Sequence, residues 1–102
     1  MSYTLNMKKR IYQNFRGGGL VYEAFLEKFI DFPDLPQQNL AIIISHNDFF
    51  IIEDLAYDMN TNKYYANQSI KMPHYHRSEL NESVQIHIEN GWELTGESSV
   101  GE

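Results

Sequence analysis

The chain has 102 residues, which fits one domain with a modest core and is too short for two. Its 42% hydrophobic and 14% aromatic content argues against disorder, and the absence of cysteine excludes a disulfide scaffold and thiol catalysis. The net charge of −6 is uneven: residues 1–19 hold Lys8, Lys9, Arg10 and Arg16 with no acid, and the remainder holds all 14 acids. An acidic body repels phosphate, which disfavours nucleic acid as a partner, and it suits a basic protein surface. No apolar run approaches the roughly 20 residues of a membrane span and no apolar leader is visible, so a cytoplasmic protein with no membrane partner is expected. The expected organisation is a single domain, with a basic, glycine-terminated segment 1–19, a core 20–98 and a tail 99–102.

In chain order, Tyr3, Met7, Ile11 and Phe15 recur every four residues, as on a helix, whereas Tyr3, Leu5 and Met7 alternate, as on a strand. A short strand followed by a helical turn or two is expected. Arg16-Gly17-Gly18-Gly19 is the clearest break, because three glycines make poor helix or strand. No Gly-Lys-Ser/Thr follows to complete a phosphate loop, and a flexible joint is the plainer reading. Leu20–Phe32 reads as a helix: Val21, Phe25, Phe29 and Phe32 step by four and three. Glu23, Glu27 and Asp31 would then form an acidic ridge of like-charged i+4 neighbours, held by packing or offered to a basic partner. Pro33 and Pro36 end it.

Asn39–Tyr57 is the most apolar stretch. Leu40–Ile44 and Phe49–Ile52 flank the turn-compatible Ser45-His46-Asn47-Asp48, which reads as a β-hairpin. Neither arm alternates, so both faces should be covered and the hairpin should lie at the centre of the sheet. Its second arm is expected to continue through Leu55, Tyr57 and Met59. Asn60–Lys63 reads as a turn, Tyr64–Ala66 as a short third strand, and Gln68–Arg77 as a loop around Pro73. Ser78–Gly96 supports two readings. One is a hairpin turning at Asn90-Gly91; the other is a helix stepping through Leu80, Val84 and Ile88 with Gly91 as its C-cap.

The pattern Leu80-x3-Val84-x3-Ile88-x2-Gly91-Trp92-x-Leu94-x-Gly96 resembles a small family of uncharacterised bacterial and phage domains in which a helix ends in Gly-Trp and feeds a strand carrying Leu-x-Gly. It covers roughly 20 residues, and Glu97 stands where the family has a second glycine. The resemblance implies a helix Ser78–Asn90 and a strand Trp92–Ser98, and it implies no catalytic residues.

For chemistry, His74-x-His76 with His46, His87 or Glu79 could ligate zinc, and Ser45, His46 and Asp48 could be drawn as a triad. Neither has the spacing that such sites use, and no metal, cofactor or catalytic residue is expected. The expected fold is α+β: a small antiparallel sheet of three to four strands with two helices on one face. The isoleucines then exceed what two helices can cover, which points to a homodimer. The expected function is a small, acidic, non-enzymatic binding protein that occludes a protein partner, as an inhibitor, immunity or phage counter-defence protein would. Its binding residues would be Tyr57, Tyr64 and Tyr65 as aromatic anchors, with Glu23, Glu27, Glu53 and Asp54 as an acidic rim. The alternative is a module for an anionic ligand or nucleotide, held by Arg16, Gly18, His74, His76 and Arg77.

Overall fold

A computed structural model of the chain describes residues 2–14, 21–72 and 77–100. It opens on two long strands, β1 (Tyr3–Asn14) and β2 (Val21–Phe32), paired antiparallel from Tyr3↔Phe32 to Asn14↔Val21. A hairpin follows, β3 (Ala41–Ser45) and β4 (Asp48–Ile51), and then β5 (Asp54–Asp58) and β6 (Lys63–Met72). The chain closes with α1 (Arg77–Glu89) and β7 (Glu93–Val100). Five strands form one sheet in the order β5-β6-β1-β2-β7, with β1 and β6 parallel and the other neighbours antiparallel. The β3–β4 hairpin is a separate two-stranded sheet. It and α1 both lie on one face of the large sheet, so the protein has two layers.

This corrects the expected fold. Among the described residues there is one helix, and the main sheet has five strands and is mixed. Residues 21–32 form a strand because a step of four is also two strand repeats: Glu23, Phe25, Glu27, Phe29 and Asp31 all fall on one face. In a strand, residues four apart are about 13 Å from one another, so the like-charge penalty of the helical reading disappears. Residues 3–14 are strand throughout, without the helical turns expected after the first few residues. β6 extends to Met72, through residues expected to be loop; Asn67, Ser69 and Lys71 are polar because they face water. β5 is a strand of the large sheet and does not continue β4.

The apolar hairpin is not the centre of the sheet. Its inner residues, Ile42, Ile44, Phe50 and Ile52, pack on the core. Its outer face stays in water, with Ile43 71%, Phe49 52% and Ile51 42% exposed. The core runs from Leu5, Met7 and Ile11 of β1 through Ala24, Leu26 and Ala66 to Phe50, Ile52, Leu80, Val84 and Trp92. α1 buries Leu80, Val84 and His87 and leaves Ile88 largely exposed. It ends as a Schellman turn: Trp92 N–H donates to His87 O at 2.9 Å and Gly91 N–H to Ile88 O at 3.0 Å. Gly91 sits at φ 91°, and a Cβ there would lie 2.6 Å from Lys28 Nζ, which itself donates to Asn90 O at 3.1 Å. No described helix is long and apolar enough to cross a membrane.

Candidate functional site

The two faces of the large sheet are built from alternate residues of the same strands. Leu5, Met7, Lys9 and Ile11 point into the covered layer, and Asn6, Lys8, Arg10 and Tyr12 point away from it.

On the covered side a charge is buried. The Lys9 side chain is 1% exposed and donates to Asp48 Oδ1 at 2.9 Å, Phe49 O at 2.8 Å and His87 Nε2 at 2.8 Å. An ammonium has three donors, and all are used. Because Lys9 can only donate, His87 Nε2 must accept, so the imidazole is neutral and its Nδ1–H donates to Ser83 O at 2.6 Å. Asp48 Oδ2 accepts from Trp92 Nε1–H at 2.6 Å, and the ammonium lies 4.8 Å from the Trp92 ring centre. Burial pushes Lys9 below the ordinary lysine range, opposed by its hydrogen bond to Asp48 and by that carboxylate's charge. Burial also pushes His87 down, assisted by the Lys9 charge and opposed by Ser83 O and Asp48. This network joins β1, β4, α1 and the start of β7. It holds the upper layer on the sheet and is closed to solvent, so it is not a place for substrate.

The opposite face is open. Strand register places residues in transverse rows across it: Asp54, Asn67, Lys8, Glu27 and Glu93 form one, and Tyr65, Asn6 and Phe29 form the next. Ser69, Arg10, Phe25 and Gly96 form a third. The rows curve around a depression of about 530 Å³, lined in part by Lys8, Arg10, Phe25, Glu27, Asp54 and Asn67. Phe29 is 52% exposed, and the Lys63 ammonium lies 5.3 Å from its ring centre. Phe25 is 38% exposed, beside Gly96, which has no side chain to cover it. Arg10 Nε donates to Glu23 Oε1 at 2.8 Å, and Ser98 donates to the other oxygen at 3.1 Å. The Arg10 hydrogen bond holds the Glu23 carboxyl below the usual range. Lys8 lies 5.5 Å from the Tyr65 ring centre. Asn6 is only 2% exposed and donates to Glu27 Oε1 at 2.9 Å, while its Oδ1 meets no donor among the described residues.

Of the residues singled out from sequence, Tyr65, Glu23, Glu27 and Asp54 come together on this open face. Tyr57 and Tyr64 do not: they lie on the other side near the β5 edge, with ring centres 4.8 Å apart and ring planes tilted by 52°, and with Tyr64 5.8 Å from Tyr3. Glu53 is a structural tie, its Oε1 accepting from Ser69 N–H at 2.8 Å. Arg16, Gly18, His74 and His76 lie outside the described residues, and of Arg77 only the backbone, at the start of α1, is described. His87 is committed to Lys9 and Ser83, and Ser45 Oγ donates to Asn47 Oδ1 at 2.6 Å while Asp48 is buried, so no triad forms. No group of three potential metal ligands occurs among the described residues. Sequence reasoning missed Lys8, Arg10, Phe25 and Phe29. The signal was present in Glu23-x-Phe25-x-Glu27-x-Phe29-x-Asp31, an acid and aromatic alternation that puts both on one face only in a strand. Comparisons with protein families, curated proteins and solved structures found no match.

Proposed function

We propose that the protein is a non-enzymatic binding protein that takes a protein partner onto the open face of its sheet and acts by occluding that partner. The observation that carries this reading is the pair of half-exposed phenylalanines, Phe25 and Phe29, on the face of the sheet opposite the one that packs the core. Aromatic side chains exposed at the middle of a polar, hydrogen-bonding surface are the usual anchors of protein contacts. Around them Glu27, Asp31, Asp54 and Glu93 form an acidic surround, suited to a basic partner surface and able to speed its approach. A small anionic ligand fits less well, because two carboxylates line the same depression as Lys8 and Arg10. A chain without cysteine fits the reducing cytoplasm.

The test is affinity capture from a lysate of the source organism, using the full chain beside Phe25→Ser and Glu27→Lys variants. A partner held by the parent chain, lost by both variants and released by moderate salt supports the reading. Equal retention by all three would end it.

A further inference from the structure

A second surface lies on the far side of the molecule from the open face. Ala41 and Ile43 of β3 stand opposite Ile51 and Phe49 of β4, and all four are exposed on the outer face of the hairpin. None is charged. The other free edges carry the devices that keep strands from pairing. β5 is short and carries Asp54 and Asp58; β7 carries Glu93, Glu97 and a register irregularity. β3 is as short as β5 and has its own register irregularity between Ile43 and Ser45, but it has no charge and no proline.

We infer that a second copy of this chain docks here, outer face on outer face, about a two-fold axis. Charge is the first reason. Copies that each carry −6 repel through most of their surface, and this neutral patch is where two of them can touch without opposing like charges. Shape is the second. The four side chains form a small square with the small Ala41 and the large Phe49 at opposite corners and isoleucines at the other two. A two-fold axis along the Ile43–Ile51 diagonal sets each Phe49 over the Ala41 of the other copy, and the isoleucines meet their own counterparts. The strands then cross steeply, in the orthogonal class of sheet packing. Area is the third. With Leu40, the patch offers on the order of 400 Å² of apolar surface per copy, the size of the largest apolar patch on a typical monomer, which is often a functional one. Two copies therefore bury roughly 800 Å² before any rim is counted, the scale of a reversible dimer and not of an obligate one. The open faces of both copies remain free, so this contact is independent of the partner-binding reading.

Sedimentation velocity of the full chain, from roughly 5 to 500 µM, tests it. A concentration-dependent monomer–dimer equilibrium is expected, with a dissociation constant of about 10–100 µM. Ile43→Glu, at a position already in water, should leave the circular dichroism spectrum unchanged and shift the protein to monomer. Ala41→Phe and Phe49→Ala should each weaken the dimer at least tenfold. The double variant, which exchanges the two corners, should recover it. A parent chain that stays monomeric to the top of the range overturns the proposal. A dimer indifferent to Ile43→Glu, or a double variant no better than the singles, overturns the seating described.

Discussion

Lys8 and Lys9 are neighbours in sequence and occupy opposite surroundings. Lys8 stands on the open face near the Tyr65 ring, with water on its other side. Lys9 is buried, with every donor matched. The open face is a lattice of partly exposed charges that stabilise the fold little, because water competes for each of them. The covered face contains the Lys9–Asp48 ion pair, for which water is absent, so its partners are costly to remove. One strand thus separates a surface that can be altered freely from a network that cannot.

The sharpest way to break this contrast is Asp48→Ala. It strands the Lys9 ammonium and the Trp92 N–H together, and should destabilise the fold by about 3–5 kcal/mol in urea unfolding. Replacing both charges, as Lys9→Met with Asp48→Leu, should cost much less than the single change, because no buried charge is left unpaired. A double variant as unstable as Asp48→Ala would show that packing and not charge sets the cost. Trp92→Phe keeps a ring and loses the bond to Asp48; about 1–3 kcal/mol is expected.

The pH dependence comes next. His87 has its pKa lowered in the fold, so the unfolded chain binds the extra proton first. Its contribution is complete above the unfolded value of about 6.5 and is lost as pH falls from there through the lowered folded value. The groups facing it are Lys9 from β1 and Asp48 from β4; protonated Nε2 would present N–H to an ammonium that can only donate. Urea midpoints between roughly pH 7.5 and 5 should therefore fall, and a His87→Gln variant should flatten that part of the curve. On the open face, Arg10→Ala removes a partly exposed ion pair with Glu23 and should cost at most about 1 kcal/mol. Phe29→Ser should change the melting temperature least of all while weakening capture of any partner.

What could be read from the sequence follows from where local rules act alone. The hairpin at residues 41–51 was legible because two apolar arms flank a turn-forming tetrapeptide. The helix was only half legible, because Gly91 fits a left-handed helix cap and the turn of an Asn90-Gly91 hairpin equally well, and only the resemblance to a Gly-Trp helix end favoured the helix. β2 was not, since Val21, Phe25 and Phe29 satisfy both periodicities and only pairing along twelve residues of β1 decides between them. Once β2 is a strand, its acids and phenylalanines share a face, so the same misreading hid the candidate site. The burial of Lys9 was equally hidden: its acceptors come from positions 39, 40 and 78 residues away. The hairpin's apolar excess was visible, but the reason differs from the one expected. Its inner face covers the sheet and only its outer face is surplus.

The parallel pairing of β1 with β6 has a consequence for how the chain is made. Leu5 aligns with Tyr64, 59 positions later, so the central strand keeps one bare edge until most of the chain exists. Long-range parallel pairing of this kind folds slowly, and a bare apolar edge invites association meanwhile. Lys9 lies at the middle of that edge; Asp48, which neutralises it, precedes β6 in the chain and His87, which accepts one of its hydrogen bonds, follows it, so the ammonium stays unpaired until both dock. During that interval its charge acts as a gatekeeper against edge pairing. Refolding from urea at rising protein concentration should therefore yield more aggregate for the Lys9→Met, Asp48→Leu variant than for the parent chain, even where the two are equally stable once folded.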